Sequence, residues 1–494
     1  MSDKRPAGAD ALLYRIQKSI LPHGMVRRLW AADEKNRAED VALFRRYFDG
    51  DFDANMTREM REALRIAKGR EVGANQCELI VNTMTDRLEL KGIEGASDRA
   101  TAWLAEAVLQ PNRLDAFQID VMQDVLIDGE SFVMVDWDNE RGGVRWTHEK
   151  AYDGEEGVIG IGMRGGWCDM AAKVWRESRE RFADTIRVNV YAPDAILRYV
   201  DYGDGQGFVE LPDDAGGAIL PWVTAAGQPL GVPLIPFANK ADKHGRGRSE
   251  IAGVIAMQDA RNRTLHSTLA VAETLGFPIR TAIGWKPDAR IVPGQIIVAT
   301  PTDDNNAMKD PTPDEIEWMK AIRFGQFDTA DLAPLLNLDS RLEGQINKVT
   351  ATPDDSLSAD ASGEARKQAE VSLLGKVKRF QIKIGNAWEN CAAMSVRVQD
   401  AFGPPPVDSP TWRARWRDAA LRSEAQVIVE AVKLEPLIGL RAALELVGTV
   451  LDYDAAQIAR IIADREANQQ ALTDAVFRNM PALNGRSEAV GDDA

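Results

Sequence analysis

The chain has 494 residues, and globular domains usually hold roughly 100 to 200 residues, so the length predicts several folding units. Hydrophobic residues make up 45% and charged residues 28%, which excludes disorder over most of the chain. Lys and Arg total 60 against 76 for Asp and Glu, and the formal charge of -16 disfavours generic DNA binding, because neutralisation of phosphates drives that binding.

The chain also lacks the patterns typical of membrane and secreted proteins. No uninterrupted apolar stretch approaches the length of about 18 residues that suggests a membrane helix, and residues 1–30 carry no signal-peptide pattern. Cys77, Cys168 and Cys391 are too scattered for a disulfide framework or a thiolate metal site. We therefore expect buried thiols in a reducing cytosol, with no membrane association.

The first half of the chain is predicted to be helical and then rich in β-strands. Over 35–128, apolar residues recur at helical spacing, and Asp128-Gly129 ends the last of these helices. From 130 to 235, short β segments alternate with glycines, and the clearest are 188–191 and 196–200.

The second half is predicted to contain long helices. Ser249 is a suitable N-cap and Glu250 suits a first turn, so a helix is expected from there until Gly276 and Pro278 stop it. Residues 279–330 are rich in proline and form a compact insertion. A second helix has one apolar face, made by Leu335, Leu338, Leu342, Ile346 and Val349.

A loop of small and acidic residues, 350–361, separates that helix from the longest one. The long helix begins at 362–364, and its apolar stripe is Leu373, Val377, Phe380, Ile384, Trp388 and Cys391. The opposite, solvent-facing side is predicted to carry Lys367, Lys376, Lys378, Arg379 and Lys383. After a proline-rich turn at 403–406, two or three further helices are expected over 421–473.

Several motifs have two interpretations. The glycines of Gly160 to Gly165 fit G-x-G-x-x-G, but no alternating βαβ pattern surrounds them, which favours a glycine-rich β turn over a dinucleotide site. The acidic pairs Asp303-Asp304 and Asp354-Asp355 are more often solvated turns than Mg²⁺ ligands. A basic cluster is either a nucleic-acid contact or a solvated loop: Lys240, Lys243, His244, Arg246 and Arg248. No catalytic motif, cofactor site or metal site stands out, so we expect no enzyme.

The order of several short segments resembles that of portal proteins from long-tailed bacteriophages. The segments are 236–239, 247–251 and 258–262, together with Asn75, Val81-Asn82 and Arg87-Leu88, and with 361–365. The resemblance covers about residues 35–470. It implies an α+β, mainly helical, portal-type fold with wing, stem, clip and crown regions.

The resemblance divides the chain into nine parts. They are an N-terminal arm (1–34), a wing that is helical and then β-rich (35–248), a stem helix (249–275), a clip (276–330), a rising stem helix (331–349), a tunnel loop (350–362), a long wing helix with its return segment (363–420), crown helices (421–483) and a disordered tail (484–494).

The same resemblance implies a function. Such a protein forms a ring, expected to have twelve subunits, at one capsid vertex of the virion, and double-stranded viral DNA is packaged and ejected through it. The implied partners are the large terminase subunit, the head–tail adaptor, and the major capsid and scaffolding proteins, with assembly in the host bacterial cytoplasm. The DNA-channel candidates are Thr352, Asp354, Asp355, Ser356, Ser358, Asp360 and Lys367, and the terminase or adaptor contacts are Trp285, Lys286, Asp288 and Arg290.

The residues themselves agree with a DNA sleeve. The acidic 350–362 loop has no Lys or Arg with which to grip phosphates, and the chain has no G-x-x-x-x-G-K-[ST] loop, so ATP hydrolysis is expected in the terminase. Phe380 and Trp388 are expected to pack the long helix. Two alternatives stay open: another ring-forming head–tail connector component, and a cytosolic nucleotide-binding enzyme that uses Gly160 to Gly165.

Overall fold

The computed structural model describes most of the chain. The described ranges are 34–52, 73–179, 182–204, 208–211, 219–276, 280–283, 310, 312–321, 323–326, 331–353, 363–407, 409–419, 424–451 and 455–479. The chain divides into two compact units: unit 1 comprises Met1–Asp86 and Gly92–Ala414, and unit 2 comprises Arg87–Lys91 and Arg415–Ala494.

The fold mixes helices and strands, as the sequence predicts. The helices are α1 (Glu34–Phe48), α2 (Gln76–Thr85), α3 (Asp98–Leu104, followed by a π-helical turn, Ala105–Leu109), α4 (Leu114–Asp128), α5 (Ile255–Gly276), α6 (Pro313–Ala321), α7 (Ala333–Thr350), α8 (Gly363–Phe402), α9 (Glu424–Ile438), α10 (Leu440–Leu451) and α11 (Ala455–Asn479). The strands are β1 (Leu90–Gly95), β2 (Glu130–Asp138), β3 (Gly143–Lys150), β4 (Gly157–Ile161), β5 (Met170–Arg179), β6 (Phe182–Tyr191), β7 (Ala195–Asp201), β8 (Val209–Glu210), β9 (Ile219–Pro221), β10 (Leu234–Ala238), β11 (Arg280–Ile283), β12 (Arg323–Gln326) and β13 (Trp412–Trp416).

The β-rich part of unit 1 consists of antiparallel sheets. One sheet has the order β10-β2-β3, and a six-stranded sheet has the order β4-β5-β6-β7-β8 with β9 also paired to β7. β11 and β12 form a two-stranded antiparallel sheet. β1 and β13, each of which includes residues of both units, form a further two-stranded sheet. Alternating side chains of β5 and β6 form one core cluster, which includes Ala172, Val174, Val188 and Val190.

A glycine makes the connection from α4 to β2 possible. Gly129 has φ +88°, a left-handed conformation that glycine adopts without strain. A Cβ atom at this position would lie 2.7 Å from the backbone of Arg248 and Ser249. The close approach lets the amide of Asn239 donate to the Gly129 carbonyl at 2.8 Å, which brings the chain leading to α5 against the start of β2.

The long helix α8 begins at the predicted position, Gly363, and all six residues of its predicted stripe are buried. The spacing also predicts α7, which begins at Ala333, but the expected start of α5 is wrong. That helix begins at Ile255 instead of just after Ser249, because 250–254 form turns in which the Ser249 hydroxyl accepts from the amide of Ile251. The strands β1 and β13 were not predicted.

A charged junction as the candidate functional site

The helices α5 and α7, which flank the insertion at 277–332, are joined by an ion-pair cluster. Arg261 of α5 donates to Asp339 at 3.0 Å and lies 3.1 Å from Glu343, both on α7. The Arg261 side chain is only 11% exposed. Because one largely buried guanidinium pairs with two carboxylates, this contact fixes the position of α5 relative to α7.

A buried amide network ties α5 to the start of α2. The Gln258 side chain, on α5, accepts from the amide of Gln76 and donates to the carbonyl of Ala74. Asn262, one turn further along α5, accepts from the amide of Ala74 at 3.1 Å. Buried backbone groups at the start of α2 therefore find their hydrogen-bond partners on α5, which fixes the register of α5 against α2.

Glu250 is the centre of the junction between α5, β10 and α8. Its carboxylate is 2% exposed and accepts from Lys376 of α8 at 2.7 Å and from Lys240 at 2.8 Å. The Asn239 side chain donates to it at 2.9 Å. Burial raises the pKa of Glu250, but the two ammonium groups outweigh burial and hold the pKa below its usual value.

Lys376 also anchors the end of α7. Its ammonium donates to the Thr350 carbonyl at 2.7 Å, while the Thr350 hydroxyl donates to the Ile346 carbonyl at 2.8 Å. Ala351 ends the helix in a left-handed conformation with φ 57°. We use the name charged junction for Lys240, Glu250, Thr350 and Lys376. It fixes the point where the chain leaves α7 toward residues 354–362.

The long helix is held from its other end by aromatic packing. Trp388 is fully buried, and its ring lies 4.7 Å from that of Phe237, 5.8 Å from that of Trp146 and 6.3 Å from that of Phe117. Phe380 is 4% exposed. These contacts join α8 to β10, β3 and α4, so the charged end and the aromatic end of α8 are both attached to unit 1.

Two further buried charge clusters attach α1. Arg45 pairs with Asp128 at 2.5 Å and Asp124 at 2.9 Å, and His148 lies 3.3 Å from Asp124. Burial raises the pKa of Asp128 to about 8, with Arg45 opposing and Asp124 adding to the shift. Burial also opposes ionisation of Asp124, but His148 and Arg45 outweigh it, so its pKa lies below its usual value.

The second cluster centres on Glu130, at the start of β2. The Glu130 carboxylate lies 2.7 Å from Arg37 and 3.1 Å from Arg246, and it accepts from the amide of Gly247. The carboxylate is 1% exposed, and burial raises its pKa. Arg246 belongs to the basic cluster of the sequence, and so does Lys240 of the charged junction. Both residues therefore form ion pairs within the chain, a role that neither the nucleic-acid nor the solvated-loop interpretation included.

The predicted site residues lie mostly beyond the described ranges. Thr352 is 9% exposed and its hydroxyl lies 2.8 Å from that of Thr350, so this side chain packs inside the protein. Lys367 lies in α8 at a position whose side chain is not described. The others fall outside the described residues: Asp354, Asp355, Ser356, Ser358, Asp360, Trp285, Lys286, Asp288 and Arg290.

Sequence reasoning missed the pairing of Glu250 with Lys376 and placed Lys376 on the solvent-facing side of α8. That placement is wrong, because the Lys376 side chain is 11% exposed. Helical spacing contained a signal: Lys376 is three residues after Leu373 and four before Phe380, on the edge of the buried stripe. No single-sequence signal identifies Glu250 as its partner.

The glycine motif lies in an antiparallel β arrangement. Gly160 is inside β4, which pairs with β5, and the amide of Arg164 donates to Trp167 in the turn between them. A dinucleotide site needs a helix after the motif. Residues 157–179 hold strands and a turn, so the motif forms the glycine-rich β turn that the sequence favours and lacks the strand–turn–helix of a dinucleotide site.

Among the described residues, neither a metal-binding cluster nor a membrane-spanning helix is found. Within these ranges, no group of three or more His, Cys, Asp or Glu side chains is placed to hold a metal ion. Over the same part of the chain, no helix combines the length and apolar character needed to cross a bilayer. Cys77, Cys168 and Cys391 are buried, and burial raises the pKa of each thiol.

Comparison with known proteins identifies the class. Residues 29–471 match the family of phage portal proteins of the SPP1 Gp6-like type, and the chain therefore belongs to this portal protein family. Members of the family have a structural role in the phage particle, as connectors between head and tail.

Individual relatives agree with the family. The chain is similar to the portal protein of Mycobacterium phage L5, with 30% identity over 213 residues that cover 41% of this chain and 42% of the relative. It is also similar to the portal protein of Mycobacterium phage D29, with 31% identity over 227 residues, 43% of this chain and 44% of the relative. The matched region thus spans less than half the length of either relative.

A solved structure is distantly similar. It is a chain in the neck of an empty GTA particle computed with C6 symmetry, with a TM-score of 0.38 and 13% identity, covering 78% of this chain and 90% of that chain.

Proposed function

We propose that the chain forms the portal ring at one capsid vertex of a virion, expected to have twelve subunits. Double-stranded viral DNA passes through the ring during packaging and ejection. The large terminase subunit and the head–tail adaptor dock on it in turn, major capsid and scaffolding proteins surround it, and assembly takes place in the host bacterial cytoplasm. Membership of the portal family supports this proposal.

The observation that carries the ring is the surface of α7. Leu338 is 44% exposed and Val349 60%, and their spacing of 11 residues, about three turns, puts them on one face of the helix, although Ile346 on the same helix is fully buried. An apolar row along a helix that already contacts α5 needs a second protein surface. A neighbouring copy in a closed ring supplies that surface repeatedly.

The regions follow from this assignment. In the proposal, α5 and α7 are the stem helices, the insertion at 276–330 is the clip, 350–362 is the tunnel loop, α8 belongs to the wing, and α9 to α11 form the crown. The charged junction then holds each tunnel loop at its α7 end, next to the wing. The clip candidates Trp285, Lys286, Asp288 and Arg290 remain proposed contacts with terminase or adaptor.

Ring formation is tested by mass photometry of the purified chain. A twelve-subunit ring has a mass of 12 × 54.4 kDa, or about 650 kDa. We expect Leu338→Asp to reduce ring formation, because it places a charge on the apolar row of α7. The matched control is Leu79→Asp, since Leu79 on α2 is also 44% exposed. A parent protein that stays monomeric at high concentration with added scaffold would contradict the proposal, and equal behaviour of the two variants would remove α7 from the interface.

The DNA sleeve is tested by reversing charge in the proposed tunnel loop. Asp354→Lys with Asp355→Lys changes the charge by +4 per subunit. Each added phosphate contact makes the slope of log DNA affinity against log salt concentration steeper by about 0.9. We expect tighter DNA retention at low salt and slower packaging. The control reverses Glu106 and Asp120, two exposed acidic residues of unit 1. Unchanged retention and packaging in the loop variant would mean that the loop does not face DNA.

A further inference from the structure

A cavity beside the charged junction concentrates positive charge. It has a volume of about 190 Å³ and lies between α8, α2 and the end of β10. Its ionisable lining consists of Lys240, Lys376, Arg379 and Lys383 against the single carboxylate of Glu250. Four cations and one carboxylate give a net formal charge of +3, in a chain whose total is -16.

The four cations of this cavity differ in whether a carboxylate pairs with them. Lys240 and Lys376 already share Glu250. Arg379 and Lys383 are exposed side chains that line the cavity one turn apart on α8, and among the residues that the structure describes no carboxylate pairs with either. Burial lowers the pKa of Lys376, Glu250 opposes the effect, and the charges of Lys240 and Arg379 lower the pKa further. The cavity therefore has an excess of positive potential that a bound anion relieves.

The rest of the lining is apolar. Met84, Phe380 and Ile384 form the floor, and Phe380 and Ile384 are almost fully buried. An apolar floor keeps water away from one side of a bound group, which strengthens its hydrogen bonds to the cations at the rim. With roughly 30 Å³ per water molecule in the liquid, the cavity has room for a phosphate group and a few waters.

From this geometry we infer that the cavity is a phosphate-binding site, in which Arg379 and Lys383 hold the phosphate oxygens with support from Lys240. A phosphate monoester or diester offers several acceptor oxygens arranged in three dimensions, which suits donors that converge from two elements better than a planar carboxylate does. The phosphate comes either from a nucleic-acid backbone or from free phosphate. The nucleic-acid source rests on the proposed function as a DNA portal, whereas the site itself does not.

Inorganic phosphate is the first probe, titrated into the full-length protein by calorimetry at constant ionic strength. We expect Lys383→Gln and Arg379→Gln each to weaken phosphate binding about tenfold, the loss that corresponds to one charge-assisted contact. The matched control is Lys378→Gln, because Lys378 is an exposed lysine of the same helix outside the cavity lining. Its affinity for phosphate should equal that of the parent. No binding at millimolar phosphate, or equal affinities for the Lys378 and Lys383 variants, overturns the inference.

Duplex DNA is the second probe, with assembled rings and increasing salt. If the backbone is the source, the Arg379→Gln/Lys383→Gln double variant retains DNA less well, and its log–log salt slope is shallower by about 0.9 per lost contact. Loss of phosphate affinity with unchanged DNA retention supports the site and identifies free phosphate as its ligand. Loss of ring assembly with unchanged phosphate affinity overturns the inference, because the cations then hold a carboxylate of a neighbouring copy.

The two proposals fail in different ways. Absence of rings in the parent protein contradicts the portal function, while phosphate titration of the single chain still measures phosphate binding in the cavity. Normal rings and normal packaging in all variants, together with no phosphate binding, contradict the cavity and leave the portal function intact.

Discussion

Removing the charge of Glu250 should destabilise unit 1 strongly. Glu250→Gln keeps the size of the side chain but leaves the ammonium of Lys376, 11% exposed, without its counter-charge. Breaking a buried ion pair from one side costs about 3–5 kcal/mol, because the remaining charge stays buried. Lys240 is 51% exposed, so Lys240→Gln should cost about 1 kcal/mol or less. The large difference between the two partners is the prediction.

Urea unfolding followed by tryptophan fluorescence measures this difference. Of the 12 tryptophans, Trp416 alone belongs to unit 2, so the signal reports mainly on unit 1. The double variant Glu250→Gln/Lys376→Met replaces the pair by neutral side chains and should recover much of the loss. Ring assembly adds to apparent stability, so all variants are compared at one concentration.

The pH dependence gives an independent check. The pKa of Glu250 is lower in the folded chain than its usual value of about 4.5, so its stabilising effect is complete above that value. The effect is lost as the pH falls through the folded-state pKa, and the parent and Glu250→Gln should converge in acid. The reasoning about the charged junction would be refuted if Glu250→Gln lost no more unfolding free energy than Lys240→Gln and if the stabilities of the parent and Glu250→Gln did not converge at low pH.

Two further predictions concern other buried groups. Trp388→Ala should cost about 3–5 kcal/mol in urea unfolding, whereas Ile382→Ala, at a position 63% exposed on the same helix, should change stability by about 0.5 kcal/mol or less; equal losses would mean that the buried face of α8 is assigned wrongly. Asp128 has a folded-state pKa of about 8, above its ordinary 3.8, so its contribution to stability should fall between about pH 4 and pH 8 and stay level above pH 8. Asp128→Asn lacks this slope, and melting curves of both proteins from pH 5 to pH 9 test it; parallel curves would contradict the shift.

Helices with a long apolar stripe were predictable, because their burial pattern repeats over many turns. In α8 the stripe from Leu373 to Cys391 predicts both the existence of the helix and its packed face. The start of α5 was not predictable in the same way. Ser249 and Glu250 look like a helix cap and first turn, but their side chains serve a turn and a long-range ion pair. Tertiary contacts outweigh local capping preferences there.

Short strands and buried ion pairs were the main failures. The strands β1 and β13 are 6 and 5 residues long and lie more than 300 positions apart in sequence, so neither has a local partner that would mark it. Spacing alone predicts Lys376 on the solvent-facing side of α8, because charged side chains of helices are usually exposed. Its contact with Glu250 depends on a fold that brings two distant segments together, and spacing alone has no information on that distance.

The charge distribution reconciles the acidic chain with the proposed passage of DNA. A ring of twelve chains would carry 12 × (-16), or -192 formal charges, which at first sight repels DNA from every side. At physiological salt, however, exposed charges act over only about 8 Å, so a phosphate responds to the side chains nearest to it rather than to the total. Acidic residues in the proposed tunnel loop then limit adhesion where DNA slides, while a cavity of net charge +3 can hold a single phosphate at one fixed place per subunit. Weak repulsion along the DNA path and localised attraction beside it are therefore compatible within one ring. The salt dependence of DNA retention separates the two contributions. Charge reversal in the loop makes that dependence steeper, whereas loss of the cavity cations makes it shallower.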